Sequence, residues 1–115
     1  MNVFDKKGWE QADNYPNGTL RKILRDENSA KTMLLKFPKG FKMDPHSHIT
    51  TEQHFVLEGS YSSKGKTYTA GSYQLIAAHE DHGPFESGNG ALILVVWDAY
   101  KKNNKTIFYN SIKKK

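Results

Sequence analysis

The feature that most constrains this chain is a pattern its apolar residues never adopt. Nowhere do they recur at i, i+3, i+4 and i+7 over three turns. They fall instead into short runs bounded by turn residues about every ten positions, which is the pattern of an all-β sandwich or barrel. Leu20 to Arg25 alternates apolar and basic side chains, and Lys31 to Phe37 puts Met33, Leu35 and Phe37 on one face. Glu52 to Glu58 is a third run. Ser60 to Ser62, a turn at Ser63-Lys64-Gly65 and Lys66 to Thr69 read as a hairpin, and Ser72 to Ala77 as another strand. Ala91 to Trp97 is apolar on both parities and rich in β-branched residues, so it is expected at the centre, covered on both faces. Thr106 to Ile112 is expected as a last strand. Pro38-Lys39-Gly40, Asp44-Pro45, Gly59, Gly71, Gly83-Pro84 and Ser87-Gly88-Asn89-Gly90 supply the turns between these runs. Gly8 to Asn14 has room for one short helical turn. The expected barrel lining is Met33, Leu35, Phe37, Tyr73, Leu75, Ile93, Val95 and Trp97.

At 115 residues, with no Pro/Gly/Ser linker and no internal repeat, the chain reads as a single domain over residues 1–115. The barrel is expected at about 15–112, with a lysine tail at 113–115. The absence of cysteine rules out a disulfide scaffold, a thiolate zinc site and thiol nucleophile chemistry. The longest apolar run, Ala91 to Trp97, is far short of the ~20 residues that cross a bilayer, so no membrane span is expected. Residues 1–11 lack the apolar stretch of a secretion signal, which points to a cytoplasmic protein. Seventeen Lys and Arg against twelve Asp and Glu give a net charge of +5. Six of those lysines lie in residues 101–115, where there is no acid, so residues 1–100 hold eleven bases against all twelve acids. A nucleic-acid binder carries its basic face on the folded body, and this body is balanced; no nucleic-acid partner is expected.

All five histidines lie between positions 46 and 82. In a chain without cysteine, clustered His and Glu is the pattern left by a nitrogen and oxygen metal site. On a strand, His46 and His48 point the same way from Cα atoms about 6–7 Å apart, near enough for both rings to converge on one ion. The three residues that follow allow a turn, after which Glu52 can return to the same pocket. His82, on a separate segment, is the candidate fourth ligand, with His79 its rival.

The glycine frame around these residues is more specific. Gly40, five residues, His46-Ser47-His48, three residues, Glu52, six residues and Gly59 reproduce the first signature of the cupin family without a gap. The second signature is degraded: Gly71 and His82 are kept, but Ala77, His79 and Glu86 stand where the family has Pro, Gly and Asn. The chain resembles the cupins over residues 40–86. It looks like their small one-domain bacterial members, including those similar to the cupin module of some anti-sigma factors. The resemblance implies a double-stranded β-helix, a jelly-roll barrel with a site at its mouth. It also implies one divalent ion held by His46, His48, Glu52 and His82. Three imidazoles and one carboxylate suit Fe, Mn, Ni, Co, Cu or Zn better than Ca or Mg.

Other residues have expected places around this site. His54 shares the parity of Glu52 and is a candidate to orient a ligand or bind substrate. Glu86, sharing the parity of His82, is a candidate general base. Phe41, Met43, Phe85, Tyr61 and Tyr68 are candidate walls of the mouth. Three functions compete on this reading: a small metalloenzyme, dioxygenase-like or isomerase-like, acting on a small molecule; a metal-dependent binding or sensory module; and a metal-free structural barrel. The resemblance also implies a homodimer, formed through residues 1–25 or the strand near 106–112.

Overall fold

Two residues in the left-handed region, Asn28 (φ 50°) and Ser29 (φ 69°), turn the chain tightly back on itself. The computed structural model, which describes residues 1–99, places this turn between β2 (Leu20–Glu27) and β3 (Ala30–Phe37). A second two-residue turn, Lys64 (φ 51°) and Gly65 (φ 80°), joins β5 (Glu52–Ser63) to β6 (Lys66–Thr69). The other described strands are β1 (Glu10–Gln11), β4 (Phe41–Met43), β7 (Tyr73–Ile76), β8 (Phe85–Ser87) and β9 (Ala91–Trp97), and every pairing among the nine is antiparallel. The expected helical turn at residues 8–14 is not formed. Glu10 and Gln11 instead pair with Arg21 and Leu20, and the short β1 becomes an edge strand. The expected strand at 106–112 and the lysine tail lie outside the described residues.

The strands form two layers. β1-β2-β3-β9-β5-β7 make one, and β6-β5-β8-β4 the other. β5 belongs to both, because it bends. Residues 52–59 pair with β9, then the register shifts between Val56 and Glu58, and residues 60–63 pair with β6 and β8. A bulge that carries one strand from sheet to sheet is how two layers share a corner. Gly59 makes the corner possible. Its φ is +72°, and a Cβ there would collide with the Gly90 carbonyl oxygen and sit 2.9 Å from Ala91 Cα. The sequence suggests a turn at Gly59 that ends one strand and starts another; the observed corner lets a single twelve-residue strand continue.

The core lies between the layers. β3 gives Met33, Leu35 and Phe37, β9 gives Ile93 and Val95, and β5 gives Val56 and Tyr61. Phe37 stacks on Phe41 at 3.8 Å between ring centres and meets Tyr61 edge-on at 6.0 Å. Trp97 packs against this cluster from the open end. Tyr73 and Leu75 depart from expectation: they are 49% and 58% exposed. The β5–β7 register explains it. Glu52 and His54 face inward and lie opposite Ile76 and Gln74, so Tyr73 and Leu75, opposite Phe55 and Gln53, must face outward. β9 is covered on both faces along its first half, where Leu92 is 4% exposed and Ile93 fully buried. Residues 1–9 lie on the outside of the first layer. There Lys22 Nζ donates to the Asp5 carbonyl (3.0 Å), and the Trp9 ring takes the ammonium groups of Lys22 and Lys36 at 4.9 and 5.5 Å.

Substitution at the corner should be costly. Gly59→Ala combines a disfavoured backbone conformation with contact against backbone atoms that have nowhere to move. The expected loss is about 2–4 kcal/mol, read as a lower midpoint in urea denaturation, whereas Gly65→Ala, with open space around its Cβ, should lose less.

Candidate metal centre

His46 and His82 face each other as a hydrogen-bonded pair of backbones. His46 N donates to the His82 carbonyl at 2.9 Å and His82 N to the His46 carbonyl at 2.7 Å, and His79 N donates to the His48 carbonyl at 2.7 Å. The segment before β8 is thereby zipped to the segment before β5. This brings His82 to a pair of imidazoles more than thirty residues earlier in the chain. The three ring centres lie 4.2 Å (His46–His82), 5.0 Å (His46–His48) and 5.1 Å (His48–His82) apart. One nitrogen from each ring falls within 4.8 Å of the others.

Glu52, the first residue of β5, turns inward beneath them and is 2% exposed. Its Oε2 lies 3.7 Å from both His48 Nε2 and His82 Nε2. Those three atoms are buried and make no hydrogen bond. Several orphaned polar atoms facing one another are costly unless something sits among them. Ligands about 2.0–2.2 Å from a shared ion stand roughly 3–4 Å apart, and Glu52 Oε2 stands at that spacing from His48 Nε2 and His82 Nε2. His46 fits the same reading: its Nδ1 lies 3.2 Å from the Asp44 carbonyl, to which it can donate, leaving Nε2 for the cation. The donor set of three imidazoles and one carboxylate favours a transition ion over calcium or magnesium.

Behind Glu52 runs a buried relay. His54 Nε2 lies 2.7 Å from Glu52 Oε1, its Nδ1 lies 3.0 Å from the Tyr61 hydroxyl, and that hydroxyl lies 2.7 Å from the Gln74 side chain. The Tyr61 hydroxyl donates to Gln74 Oε1, which leaves the phenolic oxygen to accept from His54 Nδ1–H. The relay fixes Oε1 and so aims Oε2 at the histidines. His54 is 3% exposed and sits behind the carboxylate, away from the cavity. It contacts the carboxylate from the side opposite the cavity.

Burial opposes ionisation of Glu52. The His54 hydrogen bond and the surrounding imidazoles outweigh it and hold the carboxyl below its ordinary range. Burial pushes His82 down to about 4, with His46, His48 and His54 acting the same way and Glu52 opposing. His48 moves down for the same first reason. Neutral imidazoles beside an ionised carboxylate are the protonation states that a cation requires.

A cavity of about 800 Å³ opens onto this cluster. His46 and His48 form its inner wall, with Tyr15, Arg21, Lys31, Met33, Met43 and Trp97 around them. Several residues stand elsewhere than the sequence pattern suggests. Glu86 is exposed on β8 between the buried Phe85 and Ser87, and it faces solvent. Counting parity from His82 assumes a continuous strand, and Gly83 (φ 96°) breaks it. Glu86 does not line this pocket. His79 is exposed too, and holds the left-handed conformation (φ 64°) at the place where the family signature has glycine. Phe41, Phe85 and Tyr61 are core rather than mouth; Phe85 underlies the site, 5.4 Å from the His82 ring and 5.8 Å from that of His54. Tyr68 stacks on Tyr61. Of the expected walls, Met43 alone lines the cavity. Gln74, Arg21 and Lys31 join the site without a motif to announce them. The available signal is parity, since Lys31 alternates with the inward Met33 and Leu35, and Gln74 lies opposite the inward His54.

Two outcomes follow from this geometry. Tyr61→Phe strands His54 Nδ1 and the Gln74 side chain, and should cost about 1–3 kcal/mol in denaturant titration and weaken metal affinity roughly ten-fold in calorimetry. Chelator-treated protein should be most stable above pH 6.5. As pH falls from 6.5 toward 4, the unfolded chain protonates a histidine that folded His82 keeps neutral, so stability declines, by up to about 3 kcal/mol. Melting temperature against pH measures this, and His82→Asn should flatten the decline.

No curated protein matches the sequence. Solved structures do. An RmlC-like cupin from Ralstonia eutropha superposes with a TM-score of 0.70 at 23% identity, over 79% of this chain and 62% of that one. The Rhodobacter sphaeroides complex of SigE with the anti-sigma ChrR matches with a TM-score of 0.68 at 20% identity, over 83% of this chain and 51% of its counterpart. An acetylacetone dioxygenase from Acinetobacter johnsonii gives 0.72 at 17% identity, over 84% and 72%. The chain thus spans less than two-thirds of the first two, and at these identities the likeness establishes the double-layered jelly roll alone. The family model of the ChrR cupin-like domain matches residues 3–101, nearly the whole length, and the chain belongs to that cupin family.

Proposed function

We propose that this protein is a mononuclear divalent-metal enzyme, dioxygenase-like or isomerase-like, acting on a small molecule at the barrel mouth. One observation carries the reading. His48 Nε2, Glu52 Oε2 and His82 Nε2 are buried, unpartnered and turned toward one another, with His46 completing the ring beside an open cavity. His46, His48, Glu52 and His82 would hold the ion. A bound divalent cation supplies Lewis-acid polarisation of a substrate oxygen and, in its redox-active forms, electron exchange with dioxygen. The chain's own residues do the rest. His54, Tyr61 and Gln74 hold Glu52 in place, Phe85 keeps water from beneath the site, and Trp97, with its ring 6.2 Å from that of His48, gives a substrate a flat apolar surface. The resemblance to an acetylacetone dioxygenase fold supports small diketones as first candidates for substrate.

A second reading has its own support. The matched family model is named for the cupin-like domain of ChrR, and ChrR occurs among the similar structures as an anti-sigma factor in complex with SigE. On that reading, the metal site senses or binds a ligand without turning it over.

Elemental analysis of protein made without a histidine tag should find one transition ion per chain, reduced to under about a tenth by His48→Ala. Iron-loaded protein should then consume oxygen when given a small β-diketone. Stoichiometric metal with no turnover across a broad panel would favour the sensory reading, and protein without stoichiometric metal would overturn both.

A further inference from the structure

The cavity wall holds a cation with no ion-pair partner among the described residues. Lys31, at the start of β3, is the cross-strand neighbour of Trp97, and Trp97 is in turn the neighbour of Glu52 on β5. One inward row thus runs Lys31–Trp97–Glu52 across three strands. The Lys31 ammonium lies 5.8 Å from the centre of the Trp97 ring, and the His48 ring 6.2 Å from the same centre. The indole is a short floor between the lysine and the metal cluster, of a length that a small molecule spans. The other cation on the wall, Arg21, is already engaged: its Nε lies 3.1 Å from Glu10 Oε2, and a terminal nitrogen lies 3.8 Å from Asp13 Oδ2. The cavity-lining acids Asp13 and Asp44 are exposed at the rim. Asp26 stands opposite Lys31 in the β2–β3 register but makes no ion pair with it.

We infer that Lys31 is a specificity residue, and that the substrate is a small carboxylate whose acid group pairs with Lys31 while its other end reaches the metal. This rests on the metal-enzyme reading above. A divalent ion with three neutral imidazoles and one carboxylate leaves one net positive charge at the inner end of the cavity, and Lys31 adds a second at the outer end. A molecule bearing an enolate or carbonyl at one end and a carboxylate at the other complements both. A neutral analogue leaves the ammonium unpaired over the indole. Lysine suits this position, because its long stem packs along the ring while the ammonium stays mobile enough to meet an arm of variable length.

The probe pair is 4,6-dioxoheptanoate, a β-diketone with a distal carboxylate, and its methyl ester. Both are titrated calorimetrically into zinc-loaded protein, where the redox-silent ion prevents turnover. The acid should bind at least ten-fold more tightly than the ester, and 0.5 M salt should shrink that advantage. Lys31→Met keeps the stem and should abolish the difference while still taking up one zinc; Lys31→Arg should retain it. Zinc-loaded protein that binds acid and ester equally, or binds neither, overturns this inference and leaves the metal site standing. So does an acid preference undiminished in Lys31→Met. Failure to take up zinc at all removes the metal-enzyme reading and this inference with it.

Discussion

The pairing of two backbones, His46 with His82, is the constraint on which the site depends. Two hydrogen bonds of 2.9 and 2.7 Å close the mouth of the barrel at the point where two irregular segments meet. Without that bridge, His82 has no reason to stand beside His46 and His48, since its own stretch of chain is a loop leading into a three-residue strand. The side chains then inherit their geometry from the backbone. Rings on opposed residues of an antiparallel pair lie side by side, and these two are 4.2 Å apart. Burial of the result suits a cation, because desolvation lowers the pKa of His48 and His82 while the His54 hydrogen bond and the nearby imidazoles lower that of Glu52.

The fold supplies the other half of the site through a single strand. β5 begins with Glu52, carries His54 two residues on, turns the corner at Gly59 and brings Tyr61 back to face His54 from the opposite layer. The hydrogen bond between His54 and Tyr61 is therefore a contact between sheets made by residues seven apart in sequence. The core aromatics Phe37, Phe41 and Phe85 pack around this bend, so apolar packing and the buried polar chain support the same geometry.

Much of this is legible in the sequence, for identifiable reasons. Alternation locates β2 and β3 within a few residues, because a half-buried strand writes its period into the chain, while turn residues bound β6 and β7 and an unbroken apolar run marks β9. The glycine frame locates His46, His48, Glu52 and His82, because turn geometry fixes where side chains return. Parity fails where its premise fails. Tyr73 and Leu75 are larger and more apolar than Gln74, and only the partner strand decides which set faces in; it buries Gln74 because Tyr61 offers a hydrogen bond. Glu86 is misplaced by a parity count because Gly83 interrupts the strand after His82. Residues 8–14 leave room for one helical turn, but Glu10 and Gln11 pair as an edge, where Glu10 meets Arg21. The lysine on the cavity wall is hidden by its type: a single base on the otherwise apolar inward face of a strand looks like a fraying end until its neighbours are known.

The bend in β5 separates what must stay constant from what can change. The carboxylate and its three supporting groups are anchored within the barrel wall, whereas Asp13, Tyr15, Met43 and Asp44 reach the cavity from connecting segments outside the ordered strands or from their very ends. Loops of this kind can lengthen, shorten or exchange residues without disturbing the anchored carboxylate. A scaffold so divided can be retuned to new small molecules by editing its rim alone, much as a lathe takes a different chuck while the spindle stays true.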